Sequence, residues 1–313
     1  MQEFNWTGLP ARAALHPTGL YLALQNVPAE ELRDPFMQQT ISRLAATETV
    51  VHIASADIGY EPPWTAPKGL IFHVGRCGSS AISQALKQHG DVVVYAEPLP
   101  INDILAPPHT RPRAELIAAL RSLGAAFAAH AGRPYVLKLS SWNTLYCDVL
   151  ADAFPNTPWV FVLRDPVEVG VAMLDEPPPW FQANDGPGAH ITKAVDPNEV
   201  SRSPGEFLAR LYGAFCDAVA RLDRRLGKLV HYETLTTAFG EIVLPHFSIS
   251  ADREQQTRMA RSFGGYAKAR VTESLAFTPD SAAKQATASS ELRQAMDAIA
   301  RPALERLERF YAA

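Results

Sequence analysis

The sequence predicts an α/β protein of three layers, with a mostly parallel central sheet between helices and helical additions at both ends. Two observations predict the sheet. Five short apolar runs of strand length recur along the chain, each followed by turn or helix-start residues, the rhythm of strands alternating with helices. The first of them runs through a glycine-bracketed bend straight into an amphipathic segment. A third observation predicts the C-terminal addition: from Ser201 onward the chain reads mainly as helix, ending on an amphipathic stretch over residues 290–311.

Taken in order, residues 1–66 are expected to form a helical extension packed on the core, with Pro28 at a helix start and Glu30 and Glu31 in the first turn, where acidic side chains suit the helix dipole. No chemistry-bearing motif falls there. Residues 67–313 are expected to form the α/β domain, with strands at 69–74, 92–95, 135–139, 159–163 and 228–231. Segment 79–89 sets Ala81, Ile82, Ala85 and Leu86 on one side, so a helix should follow the first strand directly. Two proline-rich stretches, 106–113 and 176–188, interrupt the pattern, because proline at that density removes backbone donors and regular structure. They read either as walls of a site or as plain surface connections.

Composition narrows the function classes. A chain of 313 residues, 47% hydrophobic and 20% charged, has ample material for a core and lacks the signature of disorder. A formal charge of -4 without a basic cluster argues against a nucleic-acid partner, since coating phosphates needs concentrated positive charge. Cys77, Cys147 and Cys216 are an odd, sparse set that fits neither a disulfide framework nor a zinc motif, so a reducing, cytoplasmic setting is expected. The N-terminus has acidic Glu3 and prolines where a secretory signal would be basic and then apolar. No run reaches the roughly 18 apolar residues of a membrane helix, so no membrane span is expected. Oligomeric state leaves no trace in the sequence.

The most informative segment is Phe72-His73-Val74-Gly75-Arg76-Cys77-Gly78-Ser79-Ser80, a strand entering a P-loop-type phosphate-binding turn and then a helix. Such a turn presents backbone N–H groups and the positive helix end to an anion. Gly75 and Gly78 permit backbone angles that other residues resist, Arg76 adds fixed positive charge, and Ser79 and Ser80 add hydroxyls. An ATP-binding loop would carry a lysine after its second glycine, but Ser79 follows Gly78 directly. Cys77 has no arginine at phosphatase spacing and reads as a small residue filling the turn. His73 reads as packing beneath the turn. The bland alternative for the whole segment is a tight turn that binds nothing.

Segment 67–86 resembles the 5′-phosphosulfate loop of sulfotransferases that use 3′-phosphoadenosine 5′-phosphosulfate (PAPS), in the arginine-bearing variant of protein-tyrosine and bacterial sulfotransferases. Val160-Phe161-Val162-Leu163-Arg164-Asp165-Pro166-Val167-Glu168-Val169 resembles that family's second motif, a strand ending in an arginine for the 3′-phosphate. The resemblance implies a PAPS donor with no metal required, and a hydroxyl-bearing small-molecule or peptide acceptor. It implies donor contacts from Gly75, Arg76, Cys77, Gly78, Ser79, Ser80 and Arg164. Glu97, 21 residues after Arg76 at the end of a strand, is similar in position to the family's catalytic glutamate and is assigned as general base. Tyr232 resembles the family's tyrosine near the adenine, with core closure as the alternative.

Lys138 is a charged residue in an otherwise apolar strand, which places it either facing the transferred group or snorkelling outward. The family's serine eight residues after the second-motif arginine is Ala172 here, removing a contact worth roughly 1.5 to 3 kcal/mol. Lys284 is the candidate replacement, with a solvated surface lysine as the alternative. Arg164-Asp165-Pro166 also reads as an ordinary helix start. Two further functions stay open: a non-catalytic module binding a phosphate or sulfate ligand, and a nucleotide-dependent kinase with a degenerate loop.

Overall fold

The computed structural model describes residues 8–44, 46–55, 57–58, 66–106, 111–182, 186–198, 200–265, 267 and 278–312. Its centre is a five-stranded sheet in which every pairing is parallel. The strands are β4 (Gly69–His73), β5 (Val93–Ala96), β6 (Tyr135–Lys138), β7 (Trp159–Leu163) and β8 (Gly227–His231), in spatial order β5-β6-β4-β7-β8. All five expected strands form, with ends shifted by at most one residue. Every residue of β4 to β7 is buried, because helices flank the sheet and leave no face for alternating polar residues.

Registers align the functional ends. Ile71 and Ala96 both pair with Lys138, His73 pairs with Val162, and Leu163 pairs with His231. The chain leaves β4 through helix α2 (Ser79–Lys87), reaches the edge strand β5, returns beside β4 as β6, and then crosses to the other side of β4 as β7. Strand order therefore reverses at β4. In open parallel sheets, the crevice for a ligand lies beyond the carboxyl ends of the strands at this reversal.

The N-terminal region corrects the expectation of a helical extension. Among its described residues it is mainly a three-stranded antiparallel sheet of β1 (Leu9–His16), β2 (Gly19–Gln25) and β3 (Glu48–Ala54), with a 3-10 turn at Ala29–Glu31 after Pro28 and a helix, α1 (Met37–Leu44). The overlooked signal is period two: Leu20, Leu22 and Leu24 are buried while Tyr21, Ala23 and Gln25 between them are partly exposed. Alanine and leucine content favours helix by propensity, but one buried face decides for the strand. This sheet packs on helices α3 (Leu99–Leu105) and α4 (Arg113–Ala131). The Arg12 guanidinium grips Asp103 there at 2.7 and 2.9 Å, and Arg111 donates to the Leu15 carbonyl at 2.6 Å.

The proline-rich stretches also differ from expectation. Residues 107–110 of the first lie outside the described residues, as do 183–185 of the second. Around the latter, helices form at Pro179–Gln182 and Gly186–Val195, because a proline in a first turn gives up an N–H that has no intrahelical partner. The C-terminal stretch is helical from Ser290 to Ala312 through three contiguous segments, as its amphipathic pattern predicts. Among the described residues, no helix is long and apolar enough to cross a membrane.

Candidate active site

Each of the five parallel strands delivers one element of the site to the same edge of the sheet. β4 runs into the bend and α2; Glu97 follows β5; Lys138 ends β6; Arg164 follows β7; Tyr232 follows β8. Residues scattered from 75 to 232 in sequence are thus gathered by topology.

The bend is held in unusual backbone geometry. Gly75 and Gly78 have φ of 82°, and Arg76 between them has φ of 52°. A left-handed arginine costs energy that the surrounding contacts must supply, a pattern typical of functional turns. A Cβ on Gly78 would lie 2.8 Å from Leu235 Cδ2 and 3.0 Å from Tyr232 Cδ2, so glycine is required for close approach as well as for φ. Gly78 is also the N-cap of α2 and offers no side-chain cap to the first-turn N–H groups of that helix.

His73 braces the bend from below. Gly75 N–H donates to its Nδ1 at 3.0 Å, so the proton lies on Nε2, which donates to the Leu139 carbonyl at 2.9 Å. Cys77 is fully buried, and burial pushes its thiol up, away from the reactive thiolate. It fills the turn.

Two pockets meet at Arg76, Ser79 and Ser80. The first, about 350 Å³, extends from the bend past Arg164, Ala172 and Tyr232 to Lys284. Arg164, only 4% exposed, is its electrostatic centre. Its guanidinium lies over the Tyr232 ring at 3.9 Å, while Nε donates to Glu168 at 2.7 Å and Nη2 to Asp280 at 2.6 Å and to Ser281 Oγ at 3.2 Å. Lys284 donates to the other oxygen of Asp280, which therefore bridges both cations. Burial works against ionisation of Asp280, but Lys284 and Arg164 hold its carboxyl below the usual carboxylate range. Asp165 caps helix α5 (Pro166–Asp175) through Val167 N–H and Glu168 N–H, so Arg164-Asp165-Pro166 is a helix start as well as a pocket wall.

The second pocket, about 470 Å³, lies on the other side of Arg76. On its floor Lys138, 1% exposed, donates to Glu97 Oε1, and Glu97 N–H donates to the Lys138 carbonyl at 2.6 Å. Lys138 thus points into the cleft and not outward along its strand. Glu97, like Arg76, has a left-handed backbone with φ of 52°. The Phe36 ring sits 5.5 Å from the Lys138 ammonium. Arg76 turns its guanidinium onto Glu176.

The sequence reading missed four of these contributors. Phe36 comes from the N-terminal region, where no chemistry was expected. Glu168, one helical turn after Arg164, and Asp280, one turn before Lys284, had a legible spacing; Glu176 on Arg76 and Asp280 on Arg164 are tertiary contacts.

No protein-family model matches the chain, and no curated protein does. Among solved structures the chain is similar to a sulfotransferase from Alicyclobacillus acidocaldarius, at 18% identity over 79% of this chain and 96% of that one, with a TM-score of 0.45. It is similar to the sulfotransferase domain from the curacin biosynthetic pathway at 12% identity, covering 75% and 97% of the two chains with a TM-score of 0.44. A third is the sulfotransferase domain from the Synechococcus PCC 7002 olefin synthase, at 12% identity, 76% and 97% coverage and a TM-score of 0.46. All three carry the sulfotransferase name.

Proposed function

We propose that this chain transfers the sulfuryl group of PAPS to a hydroxyl acceptor and releases 3′,5′-ADP. The observation that carries the reading is the pair of pockets joined at one anion-binding bend, with cations deep in the first and a carboxylate on the floor of the second. The donor substrate fits the first pocket: Arg76, Ser79, Ser80 and the uncapped N-terminus of α2 suit a phosphosulfate, and Arg164 with Lys284 suits the 3′-phosphate. Each cation is paired with a carboxylate of the chain, beside which the donor's anionic groups would have to bind. Tyr232 offers a ring edge and a hydroxyl beside the nucleoside.

In the proposed reaction the acceptor hydroxyl gives its proton to Glu97, its oxygen forms a bond to sulfur, and the bond from sulfur to the bridging phosphate oxygen breaks. The electron pair leaves with 3′,5′-ADP, where the N–H groups of the bend and Arg76 stabilise it. Lys138, hydrogen-bonded to Glu97 Oε1, fixes the carboxylate and leaves the second oxygen for the proton. A sulfuryl group carries less negative charge than a phosphoryl group and needs less cationic support from outside the chain.

The test is Glu97→Gln with PAPS and a range of hydroxyl acceptors. Loss of about 100-fold or more in turnover, with 3′,5′-ADP affinity retained, is expected for removal of a general base. Near-normal turnover would remove Glu97 from that role. A second reading, a non-catalytic anion-binding module, draws support from Ala172 and from the neutralisation of Arg164 by Glu168 and Asp280. Under that reading 3′,5′-ADP binds but no acceptor is sulfated.

A further inference from the structure

We infer that the acceptor is an uncharged, largely apolar alcohol or phenol, and that Phe36, supplied by the N-terminal region, is a residue that selects it. The inference rests on the sulfuryl-transfer reading for its reaction, but its physical basis is the second pocket alone.

The charged side chains lining that pocket are paired with one another, Lys138 with Glu97 and Arg76 with Glu176, and Ser79, Ser80 and Ser141 add hydroxyls beside them. The apolar part of the lining is Phe36, Met173, Pro177, Pro178, Pro179 and Trp180. Three successive prolines present no backbone N–H, so this stretch of wall has no main-chain donor. Glu176, which precedes them in the chain, is engaged by Arg76. Both ring nitrogens of His73 are committed beneath the bend. A sugar or a charged peptide brought against this stretch would leave acceptor groups desolvated without main-chain donors. An apolar body would gain by burying its surface against the same walls.

Phe36 is fixed well enough to discriminate. Its N–H donates to Gln39 Oε1 at 3.1 Å and its carbonyl accepts from Gln39 N–H at 3.0 Å, a closed pair at the start of α1. The neighbouring Asp34 is buried, accepts from Thr40 at 3.0 Å and Arg43 at 2.9 Å, and its carbonyl accepts from Lys87 of α2. The segment is therefore tied both to α1 and to the helix that starts at the anion-binding bend. An aromatic wall on a fixed support contributes selectivity without an ordering cost.

Binding measured by calorimetry tests this without requiring turnover. The probes are naphthol, octanol, N-acetylglucosamine and an acidic tyrosine-containing peptide, each titrated into the full chain with and without 3′,5′-ADP. The proteins are the wild type, Phe36→Ala and Phe36→Leu. The expected result is that naphthol or octanol binds the wild type more tightly than the sugar or the peptide. Phe36→Ala should weaken that binding by about tenfold and Phe36→Leu by less, with 3′,5′-ADP affinity equal in all three. Tighter binding of the sugar or the peptide, or apolar binding indifferent to both substitutions, overturns the inference. Absence of 3′,5′-ADP binding in the wild type would instead defeat the sulfuryl-transfer reading, and the apolar titrations would still decide the nature of the pocket.

Discussion

Asp280 bridges Arg164 and Lys284 in the pocket proposed for the donor, and removing its charge should have opposite effects on binding and on stability. A phosphate held by Arg164 would lie near that carboxylate. Two unit charges about 5 Å apart repel by about 3 kcal/mol at an effective dielectric constant of about 20. The Asp280 side chain is 41% exposed, so solvent screening reduces this to about 1 kcal/mol. Asp280→Asn keeps the size of the side chain, and it should tighten 3′,5′-ADP binding about fivefold while lowering unfolding stability by up to about 1 kcal/mol. The assay is calorimetric titration at low and high salt, paired with urea unfolding. The gain in affinity should shrink at high salt, because screening removes repulsion that is already partly solvated. Weaker binding in the variant would show that Asp280 serves to orient the two cations, and would refute the reasoning.

Three other substitutions follow from the same geometry. Gly78→Ala forces a side chain into a left-handed backbone, at a cost of about 1 to 2 kcal/mol, and sets a methyl group against Tyr232 and Leu235; lower urea resistance and loss of 3′,5′-ADP binding are expected. Arg76→Ala removes a partly exposed cation paired with Glu176, so turnover should fall about 100-fold or more with little change in the unfolding midpoint. Lys87, whose ammonium is pushed down to about 7 by burial against an opposing pull from Asp34, is harder to protonate in the folded chain than in the unfolded one. Its destabilising effect is present in full below about pH 7 and fades as pH rises from there towards the unfolded lysine range. Lys87→Met should therefore stabilise the protein more at pH 6 than at pH 10, as read by urea unfolding at each pH.

Much of the α/β core was legible because its signals are local. Each parallel strand is a short apolar run bounded by turn chemistry, and Gly75 and Gly78 mark the bend by residue type alone. The N-terminal sheet was not read, although Leu20, Leu22 and Leu24 alternate with more exposed neighbours, because leucine and alanine suit either period and only packing on α3 and α4 shows which face is buried. Phe36 and Asp280 were illegible for a stronger reason. Neither stands in a motif, and each meets a site cation more than a hundred residues away in sequence, Phe36 at Lys138 and Asp280 at Arg164, although Asp280 also pairs with Lys284 four residues on.

The most direct test is a titration of the wild-type chain with 3′,5′-ADP in a metal chelator, beside ATP with magnesium and inorganic phosphate. A bend built for the 5′-phosphosulfate, with Arg164 and Lys284 holding the far phosphate, predicts binding of 3′,5′-ADP that persists without metal and exceeds that of the other two ligands. Preference for ATP with magnesium, or indifference to all three, would contradict it.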